Sequence, residues 1–462
     1  MPLSNSQMRD VQSVLHPYTN LMKHRESGPM ILDHAKGIRV YDENGKDYIE
    51  AMAGLWCTGL GWGVDELADV AAEQMRKMAF AHIFGGRSHE PAIALAEKLK
   101  EISPFPAGKV FFANSGSEAN DTQVKIAWYA ANARGQTQKK KIISRMKAYH
   151  GVTLVAASLT GLPNNHKSFD LPFDFVKFTD CPHYYRNAEP GESELQFSAR
   201  MAANLDALIQ SEGPDTIGAM IAEPVMGAGG VILPPEGYFD AITEVLNKYD
   251  ISLIDDEVIT GFGRTGEWFG CATYGFEPDS MTMAKQLSSA YLPISAIMLS
   301  PELTDIVEQE SGKIGTFGHG FTYTGHPVAA AVALRTIELY QRRDIIGHVR
   351  KVSPHFLKRL RALNDHPLVG EANGVGLIGG VELVADKKTK QSFDLAKQVG
   401  ATVNNFALEE GLITRPMLND RLAFCPPLVI DDAEIDEMFD RFDRALAKGL
   451  DWATREKLIG RN

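Results

Sequence analysis

Ser252-Leu253-Ile254-Asp255-Asp256-Glu257-Val258 and, further along, Met281-Thr282-Met283-Ala284-Lys285-Gln286-Leu287-Ser288-Ser289 decide how this chain reads. The first is a short apolar run closing in acid, which predicts a buried strand over Leu253 to Asp256. The second sets a lysine just downstream. A carboxylate and a lysine at neighbouring strand ends require strands that run in the same direction, and hence a parallel sheet covered on both faces.

The flanking sequence repeats that texture. Val110 to Ala113, Lys141 to Arg145, Ile217 to Ala222 and Ala296 to Leu299 read as strands, and Ser117 to Ala133 and Tyr238 to Tyr249 as helices. This alternation predicts an α/β fold with a mostly parallel sheet between helical layers. Upstream, Gly37 to Ile49 reads as two short strands around Asn44-Gly45, followed by helices over Val64 to Met78 and Ala92 to Ile102. Beyond His326-Pro327 come a long helix (Val328 to Arg343), the run Gly376 to Val384, a helix, two short strands near Arg415 and Phe424, and a last helix from Asp432 to Lys448. The expected division is a segment 1–60 packing with the small domain, a large domain 61–326, and a smaller α/β domain 327–462.

Composition narrows the classes. The chain has 462 residues, 44% hydrophobic and 23% charged, with a net charge of −12. An acidic surface argues against a nucleic-acid partner, which needs a basic excess. Lys139-Lys140-Lys141 is the basic cluster, read as a solvated turn. Cys57, Cys181, Cys271 and Cys425 lack zinc-ligand spacing, so no metal is expected and the thiols read as reduced in a cytoplasmic protein. The start, Met1 to Ser6, lacks signal-peptide order, and no apolar run is long enough to span a membrane.

Lys285 and Asp256 together suit pyridoxal 5'-phosphate (PLP) chemistry. A lysine amine forms a Schiff base with the cofactor aldehyde, and an acid keeps the pyridine nitrogen protonated so that the ring serves as an electron sink. Asn114-Ser115-Gly116-Ser117-Glu118 joins a strand to a helix, as a phosphate cradle or as an ordinary cap with its acid. Tyr149 ends a strand where its ring could stack on a flat cofactor, and Val258 could press on the other face. His150 reads as a structural histidine. His319 to Pro327 is a Gly-rich loop that offers hydroxyls to a phosphate or acts as a hinge. Gly261-Phe262-Gly263-Arg264-Thr265-Gly266 matches the dinucleotide fingerprint of an NAD-dependent oxidoreductase, but no helical period follows it. It reads as a structural glycine loop.

These motifs resemble the class III PLP-dependent aminotransferases, and within them the amine:pyruvate (omega) transaminases. The resemblance runs from Gly54-Leu55-Trp56 to Phe424-Cys425-Pro426-Pro427 and includes Ser115 to Asp121, Tyr149 to Thr153, Ala222 to Gly230, Asp256 to Gly266, Lys285 and His319 to Pro327. It implies fold type I and a homodimer with shared active sites, taking small-molecule amine and keto-acid substrates in a ping-pong mechanism. Lys285 is then the internal-aldimine lysine and proton shuttle, and Asp256 the partner of the pyridinium. Tyr149 and Val258 sandwich the ring, with His150 and Glu223 among the cofactor contacts. Ser115, Gly116 and Ser117 bind the phosphate with Thr322 from the other subunit. Trp56 and Phe84, the latter from the partner chain, line the substrate pocket with Tyr149. Arg415 matches the mobile arginine for the substrate carboxylate, with Glu223 as its partner when it swings. A transaminase dedicated to beta-alanine, taurine or a diamine is the alternative within the family. One departure is Ser288-Ser289-Ala290, where many members carry a glycine run, and it sets the substrate apart from ornithine- and 4-aminobutyrate-type enzymes.

Overall fold

The computed structural model describes residues 3–459. Three strands open the chain, β1 (Leu32–Lys36), β2 (Arg39–Asp42) and β3 (Asp47–Glu50). The central strands follow: β4 (Val110–Ala113), β5 (Lys141–Arg145), β6 (Val176–Thr179), β7 (Ile217–Ala222), β8 (Ser252–Asp256), β9 (Ser280–Met283) and β10 (Ser295–Leu299). The last are β11 (Val369–Val375), β12 (Ile378–Leu383), β13 (Leu412–Ile413), β14 (Arg415–Met417) and β15 (Arg421–Phe424).

The central sheet runs β4-β10-β9-β8-β7-β5-β6, and only β10 is antiparallel to its neighbours. Its strands are apolar throughout because both faces are covered. On one face, Ile143, Met220 and Leu253 pack with Phe197, Met201 and Leu205 of helix Glu194–Glu212 and with Phe239 and Ile242 of helix Tyr238–Lys248. Adjacent positions Ile142, Ala219, Ile221 and Ile254 face the other way and pack with Val124 of helix Gly116–Ala133. The side-chain period of two thus builds two hydrophobic layers from one sheet.

The expected N-terminal hairpin is present as β2 and β3. β13 adds to it in parallel, pairing Leu412 with Ile49 and Ile413 with Glu50. The first strands and the C-terminal region therefore share one sheet, β1-β2-β3-β13. A third sheet, β11-β12-β15-β14, lies within the C-terminal region.

Two readings need correction. The run Gly376 to Val384 is the second arm of a hairpin whose first arm, β11, is broken by glycines and polar residues that hide its alternation. Lys139 is buried rather than solvated, because its amine satisfies Asp250, 2.5 Å from the backbone oxygen and 2.9 Å from Oδ2.

Candidate active site

The carboxyl ends of the parallel strands open onto one cavity of about 360 Å³, the size of a small-molecule site. Crevices at this end of an α/β sheet are where ligands bind, since loops from several strands converge there. Asp256 ends β8, and Lys285 follows β9, which pairs Thr282 with Asp256. Both line the cavity, together with Ser115, Gly116, Ser117, Tyr149, His150, Glu223 and Val258.

Asp256 is held in a fixed orientation. Its Oδ2 lies 2.8 Å from His150 Nδ1 and accepts from Asn120 Nδ2 at 2.8 Å. Its Oδ1 accepts from Val258 N at 3.1 Å and keeps a second lone pair. His150 is only half satisfied, because Nε2 is buried without a partner, as is Asn120 Oδ1. Buried polar atoms of this kind need an occupant to justify them.

Lys285 occupies a strained turn, with φ of +49°, and Ser289 and Ala290 follow at +49° and +61°. Such angles suit glycine and are costly for other residues, so their surroundings must enforce them. Gln286 provides the brace: its amide donates to the carbonyls of Ile259 (3.0 Å) and Gly261 (2.9 Å), and its Oε1 accepts from Arg264 at 3.2 Å. The Gly261 to Gly266 loop starts no helix. It serves instead as scaffold for the lysine turn, as its reading as a structural loop anticipated. Burial pushes the Lys285 amine down from its ordinary range, against the opposing pull of Asp256, Cys57 and Glu223. A neutral amine is thereby made easier to reach.

The Asn114 to Glu118 turn serves as a cap and also borders the cavity. Ser115 Oγ accepts from Glu118 N at 3.2 Å, and Glu118 accepts from Asn114 N at 2.8 Å. Gly116 and Ser117 of the helix's first turn line the cavity, and the N–H groups of a first turn have no intrahelical acceptor and favour an anion. A Cβ at Gly116 would come within 3.1 Å of Val258, so only glycine leaves this wall open. The site therefore fits a planar cationic ring with a phosphate: a lysine for its aldehyde, an oriented carboxylate for its nitrogen and a helix start for its anion.

Of the remaining assignments, Glu223 is on the cavity wall, whereas Arg415, Trp56, Phe84 and Thr322 are not among the residues that line it. Arg415 lies within electrostatic reach of the Tyr149 and Tyr18 phenols and of the Lys285 amine, and burial pushes its guanidinium pKa down. Glu223 is held by Tyr149 N (3.1 Å) and Gly227 N (3.0 Å), and burial raises its pKa. Trp56 is buried among Met52, Val225, Ile259 and Cys425, although its neighbour Cys57 lines the cavity. Phe84 is exposed and borders a separate depression with Phe111, His319 and Gly320. Thr322 is exposed. Sequence reasoning gave no role to Asn120 or Cys57. An amide side chain four residues after Gly116, and so on the same helix face, is the signal by which Asn120 could have been found. Tyr18 was also missed: it reaches the Tyr149 hydroxyl from the N-terminal segment.

Comparison with known proteins agrees with this geometry. The family model described as "Aminotransferase class-III" matches residues 22–446. A probable gamma-aminobutyrate transaminase 3, mitochondrial, from Oryza sativa subsp. indica is 48% identical over 448 residues, 96% of this chain and 86% of the relative. A gamma aminobutyrate transaminase 3, chloroplastic, from Solanum lycopersicum is 48% identical over 94% of this chain and 83% of the relative. The crystal structure of the omega transaminase from Pseudomonas jessenii in complex with PMP superposes with a TM-score of 0.96 at 48% identity, covering 98% of this chain and 99% of that one. Cavity, motifs and relatives converge: this chain belongs to the class III aminotransferases and is a PLP-dependent enzyme of fold type I.

Proposed function

We propose that the enzyme moves an amino group from a primary amine or omega-amino acid to pyruvate, in two half-reactions through one site. The observation that carries this reading is Arg415, a cation within electrostatic reach of the Lys285 amine and of Tyr149 on the cavity wall. A guanidinium there grips a keto-acid carboxylate through two parallel hydrogen bonds. An apolar amine needs the same charge moved aside, since an unpaired cation against apolar surface is costly. One similar structure is described as a transaminase with L-ala, at 52% identity and a TM-score of 0.90 over 92% of this chain. Another, an omega transaminase variant engineered for bulky amines, replaces a tryptophan, a phenylalanine and an arginine. Trp56, Phe84 and Arg415 have the same order and the same separations along the chain.

Bound PLP supplies the electron sink; the protein supplies position and proton transfer. With the cofactor bound, Asp256 would hold the ring nitrogen protonated, Tyr149 and Val258 would pack on the ring, and Ser115 to Ser117 would hold the phosphate. Lys285 Nζ carries the proton to and from the substrate carbon, a role worth about 10²–10⁴-fold in rate. We assign Phe84 and Thr322 to the active site of a second copy, because both are exposed away from their own cavity. We place the boundaries of the large domain at 61 and 326, supported by the pairing of β3 with β13. We assign the enzyme to the cytoplasm on its four unpaired cysteines, while the rice and tomato relatives carry organellar names.

The relatives named for gamma-aminobutyrate favour a second reading, a transaminase dedicated to that or another omega-amino acid. An amine panel decides between them. Both hands of 1-phenylethylamine, 4-aminobutyrate, beta-alanine, taurine and a diamine are assayed with pyruvate and with 2-oxoglutarate. Turnover of the aromatic amine with pyruvate is expected. Turnover of only one omega-amino acid, or of 2-oxoglutarate alone, overturns the proposal.

A further inference from the structure

We propose that Asp10, His16 and His24 form a binding site for a divalent transition cation of the zinc class, outside the lysine cavity. Asp10 Oδ1 lies 2.8 Å from His16 Nε2 and 3.1 Å from His24 Nε2, and Oδ2 lies 3.0 Å from His16 Nε2. The two imidazoles meet at 4.2 Å between centroids, inclined by 39°, so both present Nε2 to one carboxylate. Ligand atoms at the corners of a zinc tetrahedron stand about 3.3 Å apart, given bonds of about 2.0–2.1 Å. The two carboxylate–imidazole edges therefore have to lengthen by only a few tenths of an ångström, and the ligand atoms of all three residues lie within 4.8 Å of one another.

The chemistry of the set favours this cation class. Two imidazole nitrogens and one carboxylate suit zinc and its neighbours, whereas calcium and magnesium want oxygen. In the Nδ1–H tautomer both Nε2 lone pairs are free to bind. Three protein ligands leave a fourth position for water, and His16 and Asp10 keep side-chain exposures of 27% and 19% for it. Two other clusters have similar spacing among the described residues, but neither can take an ion. His183, Glu371 and Glu382 already have the guanidinium of Arg421 among them. Asp255, Glu257 and Cys271 are wholly sealed from solvent.

The site also joins two helices that the Gln7 amide already ties together through the Pro29 carbonyl at 2.8 Å. Asp10 belongs to helix Asn5–Ser13, His24 to helix Leu21–Ser27, and His16 to the loop between them. That loop is exposed at Val14, Leu15 and Tyr18, and Tyr18 reaches Tyr149. A bound cation staples the two helices and fixes the loop. No common spacing on one helix announced these ligands in the sequence, because the fold alone brings them together. The inference does not rest on the transaminase reading.

The test uses tag-free holoenzyme, freed of metal with a chelator and titrated with zinc beside the double variant His16→Gln/His24→Gln. Cofactor and thiols can also take zinc, but they are common to both proteins and cancel in the difference. Wild type is expected to bind one more zinc per chain than the variant, and Asp10→Asn, which loses a direct anionic ligand, to bind it more weakly by at least the roughly 10–100-fold that loss of an outer-shell partner alone costs. Equal uptake by wild type and variant, or none by either, overturns the proposal. Should the variant fail to fold, hydrogen exchange on wild type decides. Zinc protects amides within residues 5–27 if the site stands and leaves them unchanged if it does not.

Discussion

His150 Nδ1 lies 2.8 Å from Asp256 Oδ2, the oxygen that Asn120 Nδ2 also meets. Two neighbours thus share the work of orienting one carboxylate at a strand end on the cavity wall, while Oδ1 accepts from Val258 N and keeps a second lone pair. Asn120→Ala should remove one donor without altering charge. A hydrogen bond to a charged group is worth about 1.5–3 kcal/mol. The variant is expected to lose roughly tenfold or more in kcat/KM and to release cofactor faster on dialysis. Unchanged activity and retention would show that Asn120 does not position Asp256.

Gln286→Ala should act through the lysine turn. The change leaves the carbonyls of Ile259 and Gly261 and one end of the buried Arg264 without their partner. Each unsatisfied buried group costs about 1–3 kcal/mol. A fall in Tm together with a lower kcat is expected from thermal melts and initial rates. A Tm equal to wild type would mean that the loop does not brace Lys285.

Glu50 makes the pH dependence testable. Burial pushes its carboxyl up to about 8 from the ordinary 4.5, against partial relief from the N–H groups of Gly54 and Met52. The native state therefore favours the protonated form. Its contribution to stability is complete below pH 4.5 and declines as pH rises to about 8. Glu50→Gln removes that decline, so the Tm of the variant relative to wild type should climb from pH 5 to pH 8. A constant difference across this range would contradict the assignment.

Arg415→Ala separates the two substrate classes. Loss of the carboxylate clamp should cut kcat/KM for pyruvate and alanine by at least about tenfold, since charge-assisted bonds are worth roughly 1.5–3 kcal/mol. Reaction with a carboxylate-free amine, followed as a single half-reaction, should persist. Equal losses for both would reject a mobile clamp.

Much of this molecule was legible in its sequence because the informative residues sit where strands end. Leu253 to Asp256, Ile217 to Ala222 and Lys141 to Arg145 are apolar runs with abrupt polar stops, and each occurs as a strand within one residue of its expected limits. Strand β6 escaped notice because Val176-Lys177-Phe178-Thr179 is short and at the sheet edge, where alternation is weakly enforced. The cavity-facing motifs were legible for the same reason as the strands: small residues and acids in otherwise apolar surroundings. The surroundings of Arg415 and Tyr18 were not, since their approach to Tyr149 joins segments far apart in the chain. Trp56, Phe84 and Thr322 show the limit differently: their residue types suggest a pocket, yet none borders the lysine cavity of its own chain.

The central claim is that Lys285 joins the cofactor and moves the proton. Absorbance and turnover of Lys285→Ala test it most directly. The purified variant is expected to lack the yellow visible band of the wild-type enzyme, and amino transfer should fall by at least about 10²-fold. A variant that stays yellow and turns over at close to the wild-type rate would contradict the account.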